Sequence, residues 1–402
     1  MRPRIGIGVV GLGWMGQAHS RSYLRLATLF PDRRADPVLV ACADTDPSRR
    51  ELATEAFGFR RAAAGWDEVI ADEDVDVVVV TAPNALHVEI VETACAAGKH
   101  VFCEKPVGGT PADTVRAADA ARRAGVATAV GYNYRFAPLV LHARQLVADG
   151  RLGRLTSFRG RFLSMYGSDP LGLLSWRFQM ERGGYGVSAD LLSHAVDLAH
   201  VLVGRIARVA GERATVIVER PVPRAGSESH YGRGTPGDPT GAVTNEDQVW
   251  MLAEFENGAR GTFEASRVAT GPQSELAFEL DGTSGSVRWS FERLNELEVT
   301  IDGDAVHAGF TTVRGGERFP FHGAFVPGSG NAIGFEDLVA IEDYCFLQAV
   351  AAGEPHEPGF EAALAVVAVQ DALIRSWDSG RFEDVVPLEP SLDRAARTET
   401  AD

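Results

Sequence analysis

Arg4-Ile5-Gly6-Ile7-Gly8-Val9-Val10-Gly11-Leu12-Gly13-Trp14-Met15-Gly16 is the stretch whose reading decides the fold of the first third of the chain. Arg4 to Val10 reads as a short buried strand, and glycines spaced G-x-G-x-x-G lead from it into a helical segment, Gln17 to Leu29. Gly11 permits the tight turn, Gly13 lets backbone amides approach a pyrophosphate, and Gly16 lets helix and strand pack closely. The helix N-terminus then presents its partial positive charge to the phosphates. Alone the motif is also compatible with a glycine-rich turn, and its place between strand and helix is what makes it a dinucleotide loop. Trp14 and Met15, inside that loop, join the three glycines as cofactor-binding candidates.

Outward from the loop, a second buried strand, Val38 to Ala43, ends in Asp44, placed to accept hydrogen bonds from the ribose hydroxyls of NAD. A carboxylate there repels a 2′-phosphate and so favours NAD over NADP, although Arg49 and Arg50 lie close enough to keep NADP open. Alternation continues: helix Asp67 to Ala71, strand Val75 to Thr81, helix Leu86 to Ala97, strand His100 to Cys103, helix Pro111 to Ala124, strand Ala127 to Gly131. Strand and helix in strict turn predict a parallel sheet covered on both faces, an α/β Rossmann domain over residues 1–134. Ligands bind at the carboxyl ends of such strands. Three polar clusters fall on that rim: Thr81-Ala82-Pro83-Asn84 with His87 behind it, Glu104-Lys105-Pro106, and Tyr132-Asn133-Tyr134-Arg135.

Further on, Gly183-Gly184-Tyr185-Gly186 is a turn, and Ser188 is an N-cap candidate for a helix running to about Val203. Leu191, Ala195, Leu198 and Leu202 form its apolar stripe, while Asp190, His194 and Asp197 share another face at i, i+4 and i+7. A solvated face with incidental charges and a partial metal site are the competing readings of that trio. No third ligand of suitable spacing is evident, so no metal is expected.

With 402 residues, 45% of them apolar, the chain is long enough for two domains. A formal charge of −16 without any basic block argues against nucleic acid or an anionic membrane as partner. No apolar run approaches the roughly 18 to 20 residues that span a bilayer, and a cytoplasmic location is expected. Cys42, Cys95, Cys103 and Cys345 lack metal-ligand or disulfide spacing and read as small buried apolar residues.

Gly11 to Gly16, Asp44, Thr81 to Asn84 with His87, Glu104-Lys105-Pro106, and Asp190-x3-His194 with Asp197 together resemble the Gfo/Idh/MocA oxidoreductases, the group of glucose-fructose oxidoreductase and inositol dehydrogenase. Within it the likeness is to sugar 3-dehydrogenases of the levoglucosan dehydrogenase type, through Ser175 to Gln179, Asn133 to Arg135, Phe263 to Arg267 and Glu292 to Leu297. The resemblance implies a second domain, residues 135–402, of α+β type with a large, mainly antiparallel open sheet used to form a homo-dimer or homo-tetramer. The residues agree, since Leu155 to Leu163, Ala207 to Glu219, Gln248 to Phe255, Ala259 to Arg267, Glu275 to Asp281, Gly285 to Ser290 and Glu296 to Ile301 read as strands. The Pro-, Gly- and Ser-rich stretch Pro221 to Ala242 departs from simpler members; it is either a segment that borders a site or a surface insertion. Phe335 to Ala352 and Phe360 to Trp377 read as helices, and the tail beyond Glu389 as frayed.

Imidazole titrates near neutrality, which makes His194 the candidate base for an alcohol proton. By the resemblance, Asp190 orients it or shares a substrate hydroxyl, and Lys105 holds the reacting oxygen. Asn133, Arg135 and Asp197 are substrate-contact candidates, and Thr81, Pro83, Asn84, His87, Glu104, Lys105, Asn133, Trp176 and Arg177 complete the cofactor set. The expected activity is NAD-dependent oxidation of a secondary hydroxyl, at C3 by the resemblance, of a cyclic sugar, anhydrosugar or glycoside. Inositol 2-dehydrogenase and a non-catalytic NAD-sensing protein are the alternatives.

Overall fold

The computed structural model describes residues 2–223, 232–302 and 309–388. They form two compact units, one of 2–133, 334–365 and Leu388, the other of 134–333 and 366–387. In the first, strands β1 (Arg4–Val10), β2 (Asp36–Ala43), β3 (Arg61–Ala63), β4 (Val77–Val80), β5 (His100–Cys103) and β6 (Thr128–Val130) lie in the order β3-β2-β1-β4-β5-β6, every neighbouring pair parallel. Helices α1 (Trp14–Leu29), α2 (Pro47–Leu52), α3 (Trp66–Ala71), α4 (Asn84–Ala96) and α5 (Pro111–Ala124) connect them. The four valines of β4 are all buried, as a strand covered on both faces requires. Strand order reverses between β1 and β4, which opens a crevice at their carboxyl ends, bordered by the glycine loop and Thr81.

The second unit continues with α6 (Pro138–Ala148), which the pattern reading leaves unassigned, then β7 (Leu155–Ser164), α7 (Met180–Gly183), α8 (Val187–Asp190) and α9 (Leu192–Leu202). Strands β8 (Ile206–Ala214), β9 (Glu219–Pro221), β10 (Thr240–Ala242), β11 (Gln248–Phe255), β12 (Arg260–Ser266), β13 (Ser274–Gly282), β14 (Gly285–Ser290), β15 (Glu296–Ile301), β16 (Thr311–Arg314) and β17 (Glu383–Asp384) follow. Nine strands form one sheet in the order β16-β15-β14-β13-β7-β12-β11-β8-β17, antiparallel except at β7 and β12. Alternation along β11 buries Val249, Met251, Ala253 and Phe255 and exposes Trp250 and Leu252.

Two expectations need correction. The strand predicted to run from Ala207 to Glu219 stops at Ala214, because the Asp247 carboxylate accepts the amides of Val216 (2.8 Å) and Ile217 (3.0 Å) and turns the chain out of the sheet. Glu219–Pro221 then pairs with Thr240–Ala242 as a separate ribbon, so the stretch 221–242 has an ordered base; its residues 224–231 lie outside the described residues, as does the tail expected to fray. The second correction concerns the domain boundary. Helix α10 (Phe335–Ala352) and the start of α11 (Phe360–Ser379) belong to the first unit, not to a second domain running from 135 to 402. The reason is packing of α10 along α1: Trp14 stacks on Phe335 (5.0 Å), Phe30 on Tyr344 (4.0 Å), and Arg21 and Arg25 pair with Glu336 and Asp337 at 2.6 Å.

No helix among the described residues is long and apolar enough to cross a membrane. Cys42, Cys95 and Cys103 are buried, Cys345 is half-buried, and all four are free thiols. Burial pushes the Cys42, Cys95 and Cys345 thiols up to about 12, which leaves them inert at neutral pH.

Candidate active site

The first unit carries the predicted cofactor residues other than Trp176 and Arg177, which belong to the second unit. Gly11 adopts φ +91°, which only glycine tolerates readily, and its amide donates to the Ala43 carbonyl at 2.8 Å. The Thr81 hydroxyl donates to Gly11 O at 2.5 Å, tying the end of β4 to the loop. Asp44 is tied in from the other side, accepting Leu12 N–H at 2.7 Å and Asp46 N–H at 2.9 Å, with Arg49 3.4 Å away. Helix α1 starts at Trp14, three residues before the predicted Gln17, with Gly13 as its N-cap; it has neither a side-chain cap nor an acidic first turn. Helix α5 differs, its first amides being occupied by the Thr110–Asp113 capping box. The open amides of α1 are the ones available to an anion.

Trp14 is 59% exposed on the loop, and Met15 beside it is half-buried. Asn84 opens α4 after Pro83. His87 bridges two rim loops, its ring nitrogens lying 2.7 Å from the Ala82 carbonyl and 2.9 Å from that of Pro106. Glu104 is buried and accepts the Lys105 amide at 3.1 Å, and Lys105 stands just beyond the end of β5. Asn133, at the end of β6, is buried, with its amide nitrogen meeting no acceptor among the described residues.

In the second unit Asp190 ends α8, His194 and Asp197 lie in α9, and Leu191 separates the two helices. Ser188 is no N-cap; the buried Glu246 does that work, accepting Ser188 N–H (3.0 Å) and O–H (2.6 Å) through its carboxylate and Val187 N–H (3.2 Å) through its carbonyl. The competing reading of a solvated face fails for His194 and Asp197, which are 5% and 2% exposed. Tyr134 meets the His194 ring edge-on at 4.8 Å and Phe162 lies 5.9 Å away, so the imidazole plane is held by aromatic walls. Tyr166 donates to Asp190 at 2.9 Å, and Arg177, resting over Trp176, approaches the other Asp190 oxygen to 3.7 Å. Burial, then the Asp190 charge, raises the Tyr166 pKa, so its hydroxyl remains a donor.

Arg135 and Asp197 are brought together by the fold as a buried two-point ion pair that ties Arg135 to α9, the helix of His194. Removing either charge leaves the other uncompensated. Arg135→Ala or Asp197→Ala should therefore cost about 3–5 kcal/mol of stability in urea unfolding; a loss below about 1 kcal/mol, as for an exposed pair, would contradict this placement.

Tyr166, Glu246, His19 and Asp343 are missed by sequence reasoning. They lie in segments whose spacing relates them to no motif, and only the pattern Gly16-x-x-His19 offers a local signal. Among the described residues no cluster of three or more His, Cys, Asp or Glu side chains is placed to hold a metal ion.

Comparison with known proteins gives this arrangement a family. Residues 5–132 match the model described as oxidoreductase family, NAD-binding Rossmann fold, and residues 140–288 match the GFO/IDH/MocA C-terminal domain. Levoglucosan dehydrogenase of Pseudarthrobacter phenanthrenivorans is 36% identical over 95% of this chain and 98% of its own. The chain belongs to the Gfo/Idh/MocA oxidoreductase family. A solved levoglucosan dehydrogenase in complex with NADH and levoglucosan superposes with a TM-score of 0.89 at 34% identity, covering 95% of this chain and 99% of that one. Inositol 2-dehydrogenase of Rhizobium meliloti is a more distant relative, 26% identical over 92% of this chain and 96% of its own. As a Gfo/Idh/MocA member the protein is an NAD-binding oxidoreductase. Its residues fit that cofactor: α1 opens uncapped, nothing lies within 4 Å of where a Cβ on Gly13 would stand, and the buried Asn133 amide lacks an acceptor among the described residues.

Proposed function

We propose that this Gfo/Idh/MocA protein oxidises a secondary hydroxyl, at C3, of a cyclic sugar, anhydrosugar or glycoside, with NAD as hydride acceptor. The observation that carries the reading is the half-buried pairing of Tyr166 with Asp190, four residues before a buried imidazole walled in by Tyr134 and Phe162. A surface helix would have no use for such fixed ionisable groups, whereas proton transfer needs them oriented. His194 takes the hydroxyl proton. Asp190, held by the Tyr166 hydroxyl and faced by the Arg177 guanidinium, accepts a neighbouring sugar hydroxyl and orients the ring. Lys105 donates to the reacting oxygen and stabilises the alkoxide charge that grows as the C–H bond breaks. Bound NAD supplies the nicotinamide carbon that receives the hydride. Arg135 and Asp197 enter as the ion pair supporting the His194 helix, and Thr81, Asn84, His87 and Asn133 as the rim of the cofactor crevice.

The test is NADH formation with levoglucosan, glucose, glucosides and inositols, each with NAD and with NADP. Turnover of a pyranose or its anhydro form with NAD is the expected result. Turnover of inositols alone would favour the second reading, an inositol 2-dehydrogenase, to which the Rhizobium meliloti relative lends support. Tight NADH binding without turnover of any polyol would overturn catalysis in favour of sensing.

The proposal includes a cytoplasmic homo-oligomer formed through the nine-stranded sheet. Its outer face carries Trp250 (41% exposed) and Leu252 (53% exposed) beside a groove of about 580 Å³ that also reaches Met251 and Phe263. Arg159, Arg161, Glu212 and Glu264 line the same groove, so the surface sets apolar side chains among charged ones, as subunit interfaces do. Sedimentation should show a dimer or tetramer that dissociates in Trp250→Asp/Leu252→Glu; a wild-type monomer at micromolar concentration would remove the assembly from the proposal.

A further inference from the structure

We propose that His19 is a positioning residue for Lys105: clamped between the carboxylates of Asp343 and Glu104, it fixes the Glu104 side chain that receives the Lys105 backbone amide. The inference rests on the role given to Lys105 above and extends it to residues that touch neither substrate nor cofactor.

His19 lies on α1, three residues after Gly16, and is fully buried. Its Nδ1 faces both oxygens of Asp343, at 2.9 and 3.0 Å, and its Nε2 faces Glu104 Oε1 at 3.4 Å. A carboxylate only accepts, so contacts at both ring nitrogens require N–H at each, and the ring is an imidazolium. Burial alone would lower the His19 pKa, but the charge and hydrogen bond of Asp343, followed by those of Glu104, more than offset it and raise the value to about 10. Phe102, two residues before Glu104 on β5, meets the ring edge at 4.6 Å and limits its rotation.

Glu104 divides its two oxygens. Oε1 faces His19, and Oε2 accepts the Lys105 N–H at 3.1 Å. The carboxylate also rests against Gly131, where an added Cβ would lie 2.7 Å from Oε2, so its rotamer is confined from that side as well. Three distant segments thus meet at one ion: the helix of the glycine loop, the returning helix α10 and the end of β5. Without the imidazolium, Glu104 is a buried carboxylate with reason to turn toward water, and the Lys105 amide loses its acceptor. Displacement of a catalytic group by about 1 Å is enough to cost roughly 10²-fold in rate, which is why a lysine at this rim benefits from the clamp.

The test uses the full chain with His19→Gln, Glu104→Ala and the double variant, reading amide hydrogen exchange at Lys105 against that of β1 and β4. His19→Gln should speed exchange of the Lys105 amide by about 10-fold or more, the loss expected when a charge-assisted hydrogen bond opens, with β1 and β4 unchanged. Glu104→Ala should do the same, and His19→Gln should add nothing in that background, because His19 acts only through Glu104. In the active enzyme kcat should fall by about 10-fold with NADH affinity retained. Should His19→Gln fail to fold, Asp343→Asn weakens the same clamp and should loosen the Lys105 amide in the same direction. A folded His19→Gln or Asp343→Asn protein with full protection at Lys105 would overturn the proposal. Absence of turnover with every polyol would refute the proposed function alone, since the exchange measurement needs no substrate.

Discussion

Lys105→Ala and His194→Ala should each lower kcat by about 10²-fold or more while NADH still binds. The two variants remove different halves of one chemical requirement. Under the proposed mechanism, loss of His194 leaves the hydroxyl proton without its base. Loss of Lys105 leaves the growing alkoxide without its donor at the β5 rim. Neither change touches Asp44 or the glycine loop, so cofactor affinity measured by NADH fluorescence should be nearly preserved. The His194 variant opens a void beside Tyr134, and a parallel His194→Gln protein, closer in size, separates lost chemistry from lost packing. Turnover at the wild-type rate in either alanine variant would remove the role assigned to that residue.

The glycine loop should split into two distinct phenotypes. A Cβ at Gly16 would lie 1.9 Å from the Gly11 carbonyl and 2.9 Å from Thr81 Oγ1. Backbone cannot repack as a side chain can, so Gly16→Ala should cost about 3 kcal/mol or more of stability. At Gly13 nothing lies within 4 Å of the added carbon, and φ is −67°. Gly13→Val should therefore change stability by less than about 1 kcal/mol yet weaken NADH binding by roughly 10²-fold, because its branched side chain stands where a pyrophosphate must approach the α1 amides. Thermal unfolding beside NADH titration reads both effects. Weak binding with full stability in Gly16→Ala, or unfolding of Gly13→Val, would show that the two glycines do not divide these tasks.

Much of the first unit was legible because its signals are local. The valines of β4 predict a strand buried on both faces, and the α5 boundaries follow from Thr110-Pro111-x-Asp113 at one end and Gly125 at the other. The antiparallel strands were legible from period-2 alternation, as at β11. The end of β8 was not, since Asp247, some thirty residues downstream, turns the chain away. Nor was the helix start at Val187, where Glu246 rather than the Ser188 hydroxyl accepts the first amides. Arg135 and Asp197 illustrate the same limit: their polarity suggested ligand contacts, and only the fold shows that they face each other.

By itself the sequence determined the dinucleotide loop, the strand and helix alternation that produces a parallel sheet, and the family that Lys105, Asp190 and His194 identify, because these rest on spacings within single elements. Tertiary structure alone decided the rest. It returned α10 to α1, set Asp343 and Glu104 on either side of His19, and aimed Tyr166 at Asp190. The physical reason is that hydrogen bonds and ion pairs join residues by distance in space. A side chain carries its capacity to donate or accept in its own chemistry, while the identity of its partner is settled only when remote elements pack.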